Sequence, residues 1–132
     1  MNQRWDVLIV DDEPVVRDAV SLVLRSEGLS SVSVPDAEAA LDHPALASCR
    51  LVICDMMLPG RSGLEAVAAF RERRPELPVV MITGYVTAEH EARSYGAGAT
   101  AFLAKPFDDV ELMTLVRRAM AQADVAGKEG RP

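Results

Sequence analysis

The feature that most constrains the fold of this chain is a fivefold alternation of short apolar runs and longer segments with helical periodicity. The runs lie at Trp5–Val10, Val32–Val34, Leu51–Cys54, Pro78–Thr83 and Ala101–Ala104. Three of them contain the uninterrupted apolar stretches VLIV, LVIC and VVMI, which are typical of central parallel strands covered by helices on both sides. The alternating stretch SVSV instead indicates an edge strand. The pattern predicts an α/β fold of five βα units, with a parallel sheet and right-handed crossovers.

The segments between the runs carry start and stop signals for helices. Pro14 suits a first helical turn and Gly28 a helix end, whereas Ser62 and Glu65 have the spacing of a capping box. Asp108 stands where an N-cap belongs, ahead of the last helical segment. The apolar stripes are formed by Val16, Val20, Val23 and Leu24 in the first helix and by Leu112, Leu115, Val116 and Ala119 in the last.

Two predicted helices have weaker signals. Residues 36–42 are cut short by Pro44, and residues 87–95 offer few apolar anchors for packing against a sheet. These anchors are Ala88, Ala92 and Tyr95.

The helical periodicity is lost at the C-terminal end of the chain. From Gln122 onward the segment contains two glycines and a mixture of charges without an apolar stripe. We therefore expect one domain over residues 1–121, followed by a frayed end or the start of a linker to an absent output domain over residues 122–132.

Composition excludes several classes of protein. The chain has 132 residues and a net charge of −6, which argues against direct nucleic-acid binding by this segment. It begins without the apolar core of a signal peptide, and no run is long enough to span a bilayer. Cys49 and Cys54 lack metal-ligand spacing and are expected to be reduced core thiols. We expect a cytoplasmic protein that makes no contact with a membrane.

Chemically informative side chains follow four of the five runs. Asp11 and Asp12 follow the first, Asp55 follows the third, Thr83 ends the fourth and Lys105 follows the fifth. Ligands of open parallel sheets bind at the carboxyl ends of the strands. If the first and third strands are neighbours, three carboxylates converge there, and their repulsion favours a bound cation. Oxygen ligands at a shallow, wet site suit Mg²⁺.

Four motifs together resemble the receiver domain of two-component response regulators, over about residues 5–121. They are DDEP at 11–14, DMMLPGRSG at 55–63, ITG at 82–84 and GATAFLAKPF at 98–107. The resemblance implies a flavodoxin-like fold with strand order 2-1-3-4-5 and helices on both faces. In that order the first and third strands are neighbours.

The resemblance also implies roles for the residues at the strand ends. Asp55 is the expected phosphoacceptor. Asp12, Asp55 and the backbone carbonyl of Met57 are the expected Mg²⁺ ligands, with Asp11 acting through water.

A second set of residues is expected to respond to the phosphoryl group. Thr83 and Lys105 would contact it, and Thr83 and Phe102 would switch conformation with it. The bond between Lys105 and Pro106 is expected to be cis.

The expected partner is a sensor histidine kinase or a phosphotransfer protein that donates the phosphoryl group from a phosphohistidine. The chain would then be a phosphoacceptor that assists its own phosphorylation and dephosphorylation, not a multiple-turnover enzyme. Its output would pass to a domain beyond the C-terminus or to a homodimer formed through the last helix. Val110 and Met113 are candidates for exposed apolar residues on that helix.

A Mg²⁺-dependent phosphatase of the haloacid-dehalogenase type is the alternative. It too would use an aspartyl nucleophile, a hydroxyl residue and a lysine on a Rossmann-like sheet. Its nucleophile should follow the first strand in a DxD motif, whereas Asp11 and Asp12 are adjacent here and Asp55 stands alone after the third run.

Overall fold

The computed structural model describes residues 4–84 and 87–129, the last five of these by their backbone alone. Five strands form one parallel sheet, and they are β1 (Val7–Val10), β2 (Ser31–Val34), β3 (Leu51–Asp55), β4 (Val79–Thr83) and β5 (Ala101–Ala104). Their order across the sheet is β2-β1-β3-β4-β5. Every residue of β1, β3 and β4 is buried, whereas β2 at the edge is partly exposed. The predicted strands, their order and the edge position of β2 are confirmed.

Five α-helices alternate with the strands, and they are α1 (Pro14–Ser26), α2 (Ala37–Asp42), α3 (Gly63–Arg73), α4 (Ala88–Ala97) and α5 (Asp109–Glu129). The capping box of Ser62 and Glu65 is formed at the start of α3. Asp108 accepts a hydrogen bond from the backbone N–H of Glu111 at 2.8 Å and so starts α5. A short 3₁₀ turn at Pro44–Ala47 was not predicted. It forms because Pro44 suits a first turn, while His43 Nδ1 accepts the backbone N–H of Ala45.

The helices cover both faces of the sheet. Side chains of α2 and α3 pack with Leu8 and Val10 on one face, and side chains of α1 and α5 pack with Val7 and Ile9 on the other. Alternate residues of β1 therefore enter two separate cores, as the uninterrupted apolar stretch VLIV requires.

Helix α4 packs differently from the sequence prediction. Its three predicted anchors are exposed, and the residue it buries is Ser94. The Ser94 hydroxyl donates to the backbone carbonyl of His90 at 3.0 Å, so that its burial leaves no unmet hydrogen bond. The apolar residues alone predicted the wrong face of α4, because a small polar side chain such as Ser94 can be buried when it hydrogen-bonds to its own helix.

Helix α5 also departs from expectation. It continues to Glu129, past residue 121, because alanines at 119, 121 and 123 favour the helix even without an apolar stripe. Residues 130–132 of the expected tail lie outside the described part of the chain. Val110 is exposed as predicted, whereas Met113 is buried against the sheet, so the prediction for Met113 is wrong.

The start of α3 lies against the loop that follows β3. A Cβ atom at Gly63 would lie 2.3 Å from the backbone oxygen of Asp55 and 2.6 Å from the Cα of Met56. The backbone N–H of Gly63 also donates to the carbonyl of Met56 at 2.9 Å. Glycine at this position therefore lets α3 approach and fix the backbone that carries Asp55.

Candidate functional site

The strand register brings the predicted acidic residues together. Val10 of β1 pairs with Cys54 of β3, so that Asp11 and Asp55 follow directly at the same edge of the sheet. Oxygen atoms of four acidic residues lie within 4.8 Å of one another, and these residues, here called the acidic cluster, are Asp11, Asp12, Glu13 and Asp55. The predicted convergence of carboxylates is confirmed for the described residues. Asp11 and Asp55 are buried, whereas Asp12 and Glu13 are exposed.

Lys105 lies in contact with three members of the acidic cluster. Its Nζ donates to Asp55 Oδ2 at 2.8 Å, to Asp11 Oδ2 at 3.2 Å and to Glu13 Oε1 at 3.2 Å. The Lys105 side chain is 19% exposed. The loop after β5 thus places one ammonium group at the centre of the carboxylates that end β1 and β3.

Backbone N–H groups fix the remaining oxygens of the two buried aspartates. Asp11 Oδ1 accepts the N–H of Glu13 at 2.8 Å, and Asp55 Oδ1 accepts the N–H of Met57 at 2.9 Å. Arg17 of α1 donates to the backbone carbonyl of Asp11 at 2.7 Å. These bonds hold both carboxylates in fixed orientations and join the loop after β1 to α1.

The electrostatics of the site are set by burial and by the neighbouring charges. Burial raises the pKa of Asp11 above its ordinary value of 3.8, and repulsion from Asp55 adds to this, while the N–H of Glu13 and the charge of Lys105 oppose it. For Lys105, burial disfavours the charged form, but hydrogen bonds and charges from Asp55 and Asp11 prevail and raise its pKa. Lys105 is therefore protonated at neutral pH, whereas ionisation of Asp11 is less favourable than ionisation of a free aspartate.

The other predicted site residues lie around this cluster. Thr83 is buried at the end of β4, and its carbonyl accepts the backbone N–H of Lys105 at 2.7 Å. Phe102 of β5 is partly buried and packs against the core on the α3 face. The Lys105–Pro106 bond is cis, as expected. The side chain of Met57 is exposed beside Asp55.

Sequence reasoning missed the contacts of two residues. Glu13 was not among the predicted site residues, although a glutamate is not a favoured N-cap and this offered a signal of another role. Arg17 had no signal in the sequence, because it contacts a backbone carbonyl and not a side chain.

The donor set of the acidic cluster fits a hard divalent cation. It consists of carboxylate oxygens without nitrogen or sulfur ligands among the four residues, at a site open to solvent on the side of Asp12. The geometry therefore supports a metal-binding function.

Comparison with known proteins decides the family. A family model described as the response regulator receiver domain matches residues 7–117. The chain belongs to the response regulator receiver family. It is 37% identical over 117 residues to the nitrogen assimilation regulatory protein NtrX of Azorhizobium caulinodans, and 29% identical over 128 residues to the transcriptional regulatory protein FixJ of Bradyrhizobium diazoefficiens.

The receiver chain is shorter than these relatives. The matches cover 87% and 97% of this chain but 26% of the NtrX protein and 62% of the FixJ protein.

Solved structures share the receiver fold. The receiver domain of NtrX from Brucella abortus is 36% identical, with a TM-score of 0.82 over 88% of this chain and 98% of that one. A CheY-like receiver domain protein from Methanospirillum hungatei is 27% identical, with a TM-score of 0.84 over 98% of this chain and 100% of that one.

The phosphatase alternative finds no support. The family match spans most of the chain, and Asp55 ends β3, whereas that alternative requires its nucleophile after the first strand. Within the described ranges, no helix has the length and apolar character needed to cross a membrane.

The raised pKa of Asp11 makes a prediction about stability. The folded protein holds this proton more tightly than the unfolded chain does, so ionisation of Asp11 opposes folding as pH rises above 3.8. We expect Asp11→Asn to increase the free energy of unfolding of the Mg²⁺-free protein at neutral pH. The increase should vanish below pH 3.8, where Asp11 is protonated in both states. Urea unfolding at both pH values measures it.

The matched control is Asp18→Asn, which removes an exposed carboxylate from α1. It should change stability little at either pH. A wild-type protein more stable than Asp11→Asn at neutral pH would contradict the claim that ionisation of Asp11 opposes folding.

Proposed function

We propose that Asp55 of this receiver domain accepts a phosphoryl group from the phosphohistidine of a sensor histidine kinase or phosphotransfer protein in the cytoplasm. The observation that carries the proposal is the buried Asp55 carboxylate, held 2.8 Å from the Lys105 ammonium inside the acidic cluster. A carboxylate so placed is fixed for in-line attack, and phosphoryl transfer requires chiefly positioning and charge neutralisation.

The transfer conserves atoms and electrons without an added reactant. An oxygen of Asp55 supplies the electron pair for the new bond to phosphorus. The bond from phosphorus to the donor nitrogen breaks, and its electron pair leaves with the imidazole. Lys105 turns one N–H from a carboxylate to a phosphoryl oxygen and stabilises the charge that the product carries.

We assign the acidic cluster to Mg²⁺, which would supply the positive charge that brings a phosphoryl group and carboxylates together. Asp12, Asp55 and the backbone carbonyl of Met57 would hold it directly. The exposure of Asp12 supports this role. Asp11 would act through water.

Thr83 and Phe102 form the proposed switch. Thr83 ends β4 one residue after Ile82, the register partner of Asp55, and Phe102 pairs with Met81 of the same strand. The new phosphoryl oxygens would draw the Thr83 hydroxyl toward Asp55. Phe102, which is only partly buried, would then move into the space left behind and change the surface of α4 and β5.

The remaining proposals concern the protein as a whole. Receiver domains are phosphoacceptors, and we propose that this one is labelled once per chain and does not turn over substrate.

Residues 1–121 would form the receiver, and the segment from 122 would lead toward an output domain. A homodimer through α5, where Val110 is exposed, is the other route for output.

An apolar groove next to the acidic cluster is the proposed docking site for the kinase. It has a volume of about 400 Å³, lies between the start of α1 and the loop after β5, and its walls include Val15, Pro106 and Phe107. Glu13 and Lys105 also line it, so a helix bound there would present its phosphohistidine at the site. Val15 is 79% exposed, which leaves it available for such a contact.

The assignment of Asp55 is tested by labelling with radioactive acetyl phosphate and Mg²⁺. Wild-type protein should incorporate up to one hydroxylamine-labile phosphoryl group per chain, and Asp55→Asn should incorporate almost none, since an amide cannot form the acyl phosphate. Undiminished labelling of Asp55→Asn would refute the assignment. Release of many phosphates per chain would instead favour an enzyme.

The groove makes a separate prediction for the kinase. Val15→Gln replaces an exposed apolar contact by a neutral polar one, so transfer from a phosphohistidine kinase that labels the wild type should slow by roughly three- to tenfold. Labelling by acetyl phosphate should not change. Tyr95→Gln, at an exposed position on α4 outside the groove, is the control. Equal kinase rates for both variants and the wild type would exclude the groove as the docking site.

A further inference from the structure

Glu13 stands at the start of α1, where its backbone carbonyl accepts the N–H of Arg17, but its side chain does not cap the helix. It occupies the N-cap position, yet its side chain makes no capping hydrogen bond. Serine, threonine, aspartate and asparagine are the residues that cap helices well. The carboxylate of Glu13 instead accepts a hydrogen bond at 3.2 Å from Nζ of Lys105, which lies in the loop after β5. Its position is thus explained by Lys105 and not by the local helix.

Glu13 differs from the other two partners of Lys105 in its exposure. The ammonium has three N–H donors, and each has a carboxylate partner. The side chains of Asp11 and Asp55 are 0% and 4% exposed, whereas that of Glu13 is 61% exposed. An exposed carboxylate regains water when it leaves its partner, so the Glu13 contact is the one that Lys105 can give up most easily.

We propose that Glu13 is a positioning residue that occupies the third N–H of Lys105 at rest and yields it to the incoming phosphoryl oxygen. This inference rests on the proposed function of Asp55. A phosphoryl oxygen must compete with Glu13 for Lys105, and its negative charge is repelled by the Glu13 carboxylate. Glu13 therefore slows phosphorylation, and the residue at this position sets how readily the domain is labelled.

The test uses the full chain, radioactive acetyl phosphate and saturating Mg²⁺. Asp55 attacks phosphorus, and the broken bond's electron pair leaves with acetate. Glu13→Gln keeps the shape of the side chain and removes its charge. We expect the maximal labelling rate to rise roughly three- to tenfold, as for one like charge removed from a few ångströms away in a largely aqueous environment. Asp18→Asn, which removes an exposed charge from α1 without touching Lys105, should keep the wild-type rate.

Salt dependence separates an electrostatic effect from a structural one. The screening length falls from about 30 Å at 0.01 M salt to about 3 Å at 1 M salt. The rate gain of Glu13→Gln over wild type should therefore shrink as salt is raised, whereas a gain caused by a distorted loop would not.

Each remaining outcome has a distinct meaning. Absence of labelling in the wild type overturns the proposed function itself. Normal labelling of the wild type with an equal or slower maximal rate for Glu13→Gln overturns only the role of Glu13. A higher Mg²⁺ requirement without a gain in maximal rate also overturns it, and assigns Glu13 to metal binding instead.

Discussion

The contact between Lys105 and the two buried aspartates is the interaction on which the site depends. Asp11 and Asp55 end neighbouring strands, and two carboxylates that close would repel each other without a cation. The Lys105 ammonium lies within 3.2 Å of both and offsets that repulsion. The offset is incomplete, because the four carboxylates of the acidic cluster share the single positive charge of Lys105. The site therefore retains an excess of negative charge, which favours a divalent cation.

The fold creates this arrangement through backbone geometry. The parallel register of β1 and β3 sets Asp11 beside Asp55, and the N–H groups of Glu13 and Met57 orient the two carboxylates. Gly63 lets α3 approach the backbone of Asp55 and Met56 at the end of β3. Sheet and helices thus provide the frame, while the residues proposed to act on the phosphoryl group lie at the ends of four separate strands.

The sequence predicted the parts of this structure that depend on pattern. Uninterrupted apolar runs gave the buried strands, and the positions of Asp11, Asp55 and Lys105 after them gave the site. It could not give the inward face of α4, because Ser94 is buried through a hydrogen bond to its own helix. The length of α5 and the burial of Met113 depend on helix propensity and tertiary packing, and the contact of Glu13 with Lys105 joins residues far apart in sequence.

Removal of the Lys105 charge tests the central interaction most directly. Lys105→Met keeps much of the side-chain volume but leaves two buried carboxylates without their ammonium partner. We predict that the Mg²⁺-free variant loses about 2 kcal/mol or more of unfolding free energy at neutral pH, because loss of one partner from a buried ion pair costs several kcal/mol. Mg²⁺ should restore a larger share of stability in the variant than it adds to the wild type. A Mg²⁺-free variant as stable as the wild type in urea unfolding would contradict the account.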